Sequence, residues 1–391
     1  MKVYRSKYIV TPTGVVDGFI VVENGKITDI SDKVDFEEVI DFSEKYIMPG
    51  IFDTHNHGTF GYSLMGDVEN PEEQIEGYLR SLLSQGVTSV FPTADQSIFN
   101  KLAKYARNPI KGAQILGIHS EGPWLNRVGE KGIRTGWPEV SIAAAKEMID
   151  DADGYLRLVA LAPEIPGIKD VYKFFLENGV TVAMAHSDQN YQEAMNSYNE
   201  GISVATHTGN VMTGLHHRDI GGLGASLLHP EVDCEIICDG LHISLEMLSI
   251  YFKLKQFDKF MMISDNTPLS GAPVGTYTMF EDMKVNITEE GFALSDTGRL
   301  MGSTVPVIGG IKNLAEVLQI SIVDICKMAS TNPARKYGFS EKGSLDIGKD
   351  ADFIVVSKEF SVLETYILGE KLFDKSSTNV NFNYSFLEMK S

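Results

Sequence analysis

Between positions 49 and 340 the chain alternates short apolar runs with stretches of helical period. The runs span 51–55, 87–93, 115–121, 156–164, 180–186, 204–208, 234–239 and 260–265. Each is short and apolar, so each predicts a buried strand. Helices are predicted over 71–84, 142–150, 170–178 and 191–200, and Pro71-Glu72-Glu73 suits a first helical turn. Strand–helix alternation implies a parallel sheet, and eight such units predict closure into a barrel. The expected fold class is α/β, a (β/α)8 TIM-like barrel.

The chain ends read differently. Strand-like segments 18–23 and 26–30 flank Asn24-Gly25, a strong two-residue hairpin signal. Segments 351–356 and 362–368 are strand-like as well. The simplest arrangement is a small β-sandwich built from 1–48 and 345–391, with the barrel, 49–344, inserted between them. Residues 271–301 break the barrel rhythm, and 277–280 and 284–287 read as extra strands after the eighth barrel strand. Such an excursion is either a lid or specificity loop at the barrel mouth or a plain hairpin.

Each of the eight apolar runs ends in a chemically useful polar group. The first ends in Asp53-Thr54-His55-Asn56-His57-Gly58. Side chains two apart in an extended segment point the same way, so His55 and His57 can hold one cation from a single strand end. Later runs end at Glu121, His186, His207 and Asp265. Each has a bland reading alone: a hydrogen-bonded histidine pair, a helix-capping carboxylate, a buried imidazole bonded to backbone. Together they sit where barrel enzymes place their chemistry, at the carboxyl ends of strands. Their nitrogen and oxygen donors suit zinc, iron or a similar divalent ion. A cation there lowers the pKa of bound water and polarises a carbonyl, and Asp265 is placed to take and return a proton. The reading is hydrolysis of an amide or related C–N bond.

Composition narrows the partners. The 391 residues carry 34 Lys and Arg against 53 Asp and Glu, a formal charge of −19. That balance argues against nucleic acid and anionic membranes, which are themselves negative. It leaves room for a small anionic substrate in a local basic pocket. Three cysteines, unevenly spaced, fit a reducing cytoplasm, and neither a secretory leader nor a membrane-length apolar run is evident.

The motifs also carry a resemblance. Pro49-Gly50-Ile51-Phe52-Asp53-Thr54-His55-Asn56-His57-Gly58, His119-Ser120-Glu121-Gly122-Pro123, Leu215-His216-His217-Arg218, Cys238-Asp239-Gly240-Leu241-His242, Ser264-Asp265 and Met301-Gly302-Ser303-Thr304 occur in this order. The chain resembles the amidohydrolase superfamily, and within it the N-acetylglucosamine-6-phosphate deacetylase branch. The resemblance implies that Glu121, His186 and His207 hold the principal metal and that His55 and His57 complete a second site. It implies Asp265 as general base and acid, and a cofactor of one or two divalent ions, zinc ahead of iron. Asn210, Val211, His216, Arg218 and His242 fall where the branch binds sugar and phosphate, and a homodimer is implied. Three stretches depart from the branch pattern. In Lys131-Gly132-Ile133-Arg134 either Arg134 replaces a sugar-contacting histidine or the loop is shifted, and Gly209-Asn210-Val211-Met212 and Ser264-Asp265-Asn266 also differ. The substrate implied is an N-acetylated amino-sugar phosphate, foremost N-acetylglucosamine 6-phosphate. N-acetylgalactosamine 6-phosphate, a cyclic amidase or N-acyl-amino-acid hydrolase activity, and a non-catalytic sugar-phosphate sensor are the alternatives.

Overall fold

A computed structural model describes residues 1–33, 35–66, 70–126, 138–279 and 283–385. Eight strands run parallel in chain order: β1 (Ile51–Asn56), β2 (Val87–Pro92), β3 (Ile118–Glu121), β4 (Leu156–Leu161), β5 (Thr181–Met184), β6 (Val204–Ala205), β7 (Asp233–Ile237) and β8 (Phe260–Ile263). β1 pairs with β2, and β3 to β8 form one continuous curled sheet. Parallel bridges at Thr93–His119 and Asn56–Asn266 join the two runs at both seams. The result is a TIM-like barrel.

A helix follows each strand: α1 (Pro71–Ser84), α2 (Phe99–Arg107), α3 (Ile142–Asp151), α4 (Ile168–Glu177), α5 (Tyr191–Asn199), α6 (Gly221–Leu228), α7 (Leu245–Leu254) and α8 (Val307–Glu316). In α1 the residues Ile75, Tyr78, Leu79 and Leu82 follow the spacing of one helical face and are all buried in the barrel's outer core. Each such side chain contributes about 1.5–3 kcal/mol by leaving water. α5 begins with a capping box: Glu193 N donates to Asn190 Oδ1 at 3.1 Å and Asn190 N donates to Glu193 Oε2 at 2.9 Å. Both otherwise unpaired donors of that first turn are thus satisfied. No helix among the described residues is long and apolar enough to cross a membrane.

Both chain ends join a single eight-stranded mixed sheet. The strand Tyr46–Pro49 lies between Lys2–Thr11 and Phe353–Val356, so it ties the first fifty residues to the last fifty. This sheet encloses its own core of Tyr4, Ile9, Ile20, Phe353 and Tyr366. Hydrogen bonding runs continuously through all eight strands. The insertion after β8 forms a three-stranded antiparallel sheet, Gly275–Met279, Met283–Ile287 and Ala293–Ser295, with Leu269, Met279, Val285 and Ile287 packed together. Phe280, placed in an extra strand by sequence, lies outside the described residues.

Candidate metal centre

His55 lies in β1 and His57 one residue beyond it; Glu121 ends β3. His186, His207 and Asp265 each lie two residues past β5, β6 and β8. These strands stop earlier than the sequence pattern suggested, and the reason is local. His186, His207 and Asp265 adopt left-handed backbone, with φ of 47°, 28° and 51°. That conformation costs an ordinary residue about 1–2 kcal/mol, and such outliers gather at functional sites because the surrounding structure holds them. Gly302 packs against one of these bends. A Cβ there would sit 2.8 Å from the Asp265 carbonyl oxygen and 2.5 Å from Thr267 Cγ2.

Four of the five expected donors, the histidines, meet at the fifth, the Glu121 carboxylate. Glu121 Oε1 lies 2.9 Å from His186 Nε2 and 2.9 Å from His207 Nε2. Its other oxygen lies 3.2 Å from His57 Nε2 and 3.7 Å from His55 Nε2. Asp265 Oδ1 stands 3.5 Å from His55 Nε2 and 3.4 Å from His57 Nε2. Two ligand groups emerge, His55–His57–Glu121 and Glu121–His186–His207, sharing the carboxylate. His55 Nε2 and His57 Nε2 are 3.2 Å apart. Two imidazole nitrogens face one another at that distance across a shared proton or a cation. Imidazole nitrogens and a bridging carboxylate in a buried site are a zinc or iron(II) donor set, so the residues present fit a divalent ion.

Electrostatics agree. Burial pushes the Glu121 carboxyl upward, but facing His55, His186 and His207 it is held well below the usual range. Burial likewise opposes ionisation of Asp265, and His55, His57 and His207 bring it down to about 2. His55 is desolvated, yet Glu121 and Asp265 raise it well above its ordinary value. Carboxylates that hold a proton on a buried imidazole also hold a dication in its place.

The frame beneath is polar and closed. Asp53 accepts from Ser264 Oγ at 2.5 Å, Asn56 Nδ2 at 3.0 Å and Ser264 N at 3.1 Å, pinning β1 to the end of β8. This clamp fixes His55 relative to Asp265. Above the donors opens a cavity of about 530 Å³. Asn210, Val211 and His242, expected from the sequence to contact substrate, are among the residues that line it. Met279, Arg299 and Met301 from the insertion line it too. Asp239, just past β7, orients His242 by accepting from its Nδ1 at 2.7 Å, and Ser303 Oγ donates to the same oxygen at 2.8 Å. Burial lowers the pKa of His242, but the Asp239 hydrogen bond wins and raises it.

Two expected residues are elsewhere. His216 and Arg218 lie on an exposed loop and are not part of the cavity lining. His216 N and Asp219 O close a tight turn at 3.0 Å, and Arg218 Nη1 lies 2.9 Å from His217 Nε2. Within one chain this turn directs both side chains to solvent. Arg134 falls outside the described residues. Sequence reasoning missed Arg299, because a cation in a surface-like Thr-Gly-Arg turn gives no signal of facing a pocket. Asp239 was legible in Asp-Gly-Leu-His but was given no role.

The profile of the Amidohydrolase family matches residues 46–372. The chain belongs to the amidohydrolase family. It is accordingly a hydrolytic enzyme. It is 32% identical over 370 residues to an N-acetylglucosamine-6-phosphate deacetylase of Vibrio furnissii, covering 91% of this chain and 90% of that protein. An N-acetylgalactosamine-6-phosphate deacetylase of Escherichia coli O157:H7 is 29% identical over 334 residues, covering 83% of this chain and 87% of that protein. The crystal structure of an N-acetylglucosamine-6-phosphate deacetylase from Thermotoga maritima superposes with a TM-score of 0.80 at 28% identity, covering 95% of this chain and 100% of that one.

Proposed function

We propose that this amidohydrolase removes the acetyl group from N-acetylglucosamine 6-phosphate, giving glucosamine 6-phosphate and acetate. The observation that carries the reading is the convergence of four imidazoles on Glu121 with Asp265 Oδ1 3.4 Å from the same cluster. Glu121, His186 and His207 would hold the principal ion and His55 and His57 a second, with zinc ahead of iron. When bound, a divalent ion supplies positive charge that acidifies water and polarises a carbonyl. Asp265, ionised at neutral pH, takes the proton of the water that adds to the acetamide carbonyl carbon. His242, its Nδ1 anchored on Asp239, presents its other nitrogen to the carbonyl or a sugar oxygen. The C–N bond then breaks as Asp265 returns the proton to the leaving amine.

Among the described residues that line the cavity, Arg299 is the sole lysine or arginine. In a chain of charge −19 a phosphate needs such a partner, and we assign it the substrate phosphate within the same chain. His216 and Arg218 keep a role in the proposal by serving the cavity of a second copy, which makes the working form a homodimer. A cytoplasmic setting, in keeping with three buried free cysteines, and a division into a terminal β-sandwich unit (1–48 with 345–391) and a barrel (49–344) complete it. The galactosamine relative favours one second reading, N-acetylgalactosamine 6-phosphate. Acetate release measured side by side on the gluco and galacto substrates tests both. Binding of either without acetate would leave a sensor, and turnover of a hydantoin or N-acyl amino acid alone would leave another amidohydrolase activity.

A further inference from the structure

The proposed reaction leaves one carboxylate beneath the metal donors without a task. Glu235 lies in β7 and is fully buried. An ionised carboxylate there costs several kcal/mol unless it is paired. Its partners come from β1: Thr54 Oγ1 donates to Oε1 at 3.1 Å, and His55 Nδ1 faces Oε2 at 3.5 Å. Among the described residues His55 is its sole ion-pair partner. A neutral imidazole donates from one nitrogen and offers a lone pair on the other. With Nδ1–H directed at Glu235, the lone pair of His55 falls on Nε2, the atom that faces His57 and Glu121. Nδ1 of His57 and Nδ1 of His207 are buried without a hydrogen-bond partner. Among these three rings, then, a carboxylate stands only behind His55.

We propose that Glu235 is a positioning residue that fixes the tautomer and orientation of His55, and so sets metal affinity in the His55–His57–Glu121 half of the centre. The Glu121–His186–His207 half does not depend on it. This inference rests on the metal-hydrolase reading above and deepens it. Outer carboxylates behind ligating histidines change metal affinity by about 10–100-fold when removed.

The experiment titrates chelator-treated full-length protein with zinc, following heat and bound metal, for wild type, Glu235→Gln, Glu235→Leu and Thr54→Val. Wild type is expected to take two equivalents. Glu235→Gln keeps an accepting oxygen without the charge and weakens one equivalent by about tenfold. Glu235→Leu weakens the same equivalent further, and the other stays as in wild type. Thr54→Val removes the other donor to Glu235, leaves His55 untouched and gives a smaller loss confined to the same half, so the idea remains testable if a buried Glu235 variant does not fold. A wild type with one equivalent, equal weakening of both, or no weakening of either overturns the proposal. Acetate release is read separately. A wild type that binds two zinc ions and deacetylates neither sugar phosphate ends the substrate reading while leaving this one standing.

Discussion

Replacing Asp265 by asparagine removes the proposed proton acceptor and almost nothing else. The main chain at 265 has φ 51°, a conformation that Asn tolerates as Asp does. Its backbone contacts, N to His55 O at 2.9 Å and O from Ser303 N at 2.8 Å, do not involve the side chain. Asp265→Ala would add about 1–2 kcal/mol of backbone strain and blur the result. A positioned general base contributes about 10²–10⁴-fold to rate. The expected loss in kcat is therefore about 10²–10⁴-fold, or about 2.7–5.4 kcal/mol. The proposal assigns the metal to Glu121 and the four histidines, so bound zinc should be unchanged. The assay pairs acetate release with elemental analysis of the same preparation. A kcat within tenfold of wild type at full metal content would refute the assignment of the base. Metal lost in proportion to activity would make Asp265 a ligand instead.

Three further outcomes follow from the geometry. Glu121→Gln removes the carboxylate common to both ligand groups, so metal content after dialysis should fall in both halves and turnover should drop by more than about 10³-fold; full metal retention contradicts the bridging role. Asp239→Asn keeps an accepting oxygen but removes the charge that helps to raise His242. A raised histidine pKa gives stability that is present below the unfolded value and lost as pH climbs through the folded one, so the variant should lose this increment and its alkaline limb of kcat/KM should move to lower pH. An unmoved limb would show that His242 acts in neutral form. Arg299→Gln should raise KM for N-acetylglucosamine 6-phosphate by about 10–100-fold, the worth of a charge-assisted hydrogen bond, and leave KM for the unphosphorylated sugar alone; equal effects on both would assign Arg299 to general packing.

The barrel was legible because its strands are buried on both faces and read as unbroken apolar runs. The donors were legible because strand ends are where such a barrel gathers side chains. Finer features were hidden by tertiary packing. Residues 115–121 read as one strand, but Gly117 lies so close to its neighbours that a Cβ would fall 2.3 Å from Arg157 Cγ. The chain bends there, leaving Gln114–Ile115 on β2 and Ile118–Glu121 on β4. α6 escaped notice because Gly221, Gly222 and Gly224 disfavour an isolated helix, and burial against the barrel overrides that preference. Left-handed bends at His186, His207 and Asp265 have no sequence mark, since none is glycine. His216 and Arg218 were expected at a pocket from motif alone, and their placement on an exposed turn within one chain depends on Asp219 closing back on His216.

The central claim, a shared dication at the mouth of the barrel, is met most directly by anomalous diffraction from zinc-loaded crystals. The account predicts a peak about 2.0–2.2 Å from a Glu121 oxygen and from Nε2 of His186 and His207. Anomalous density confined to the exposed His216–His217 turn, with none beside Glu121, would contradict it.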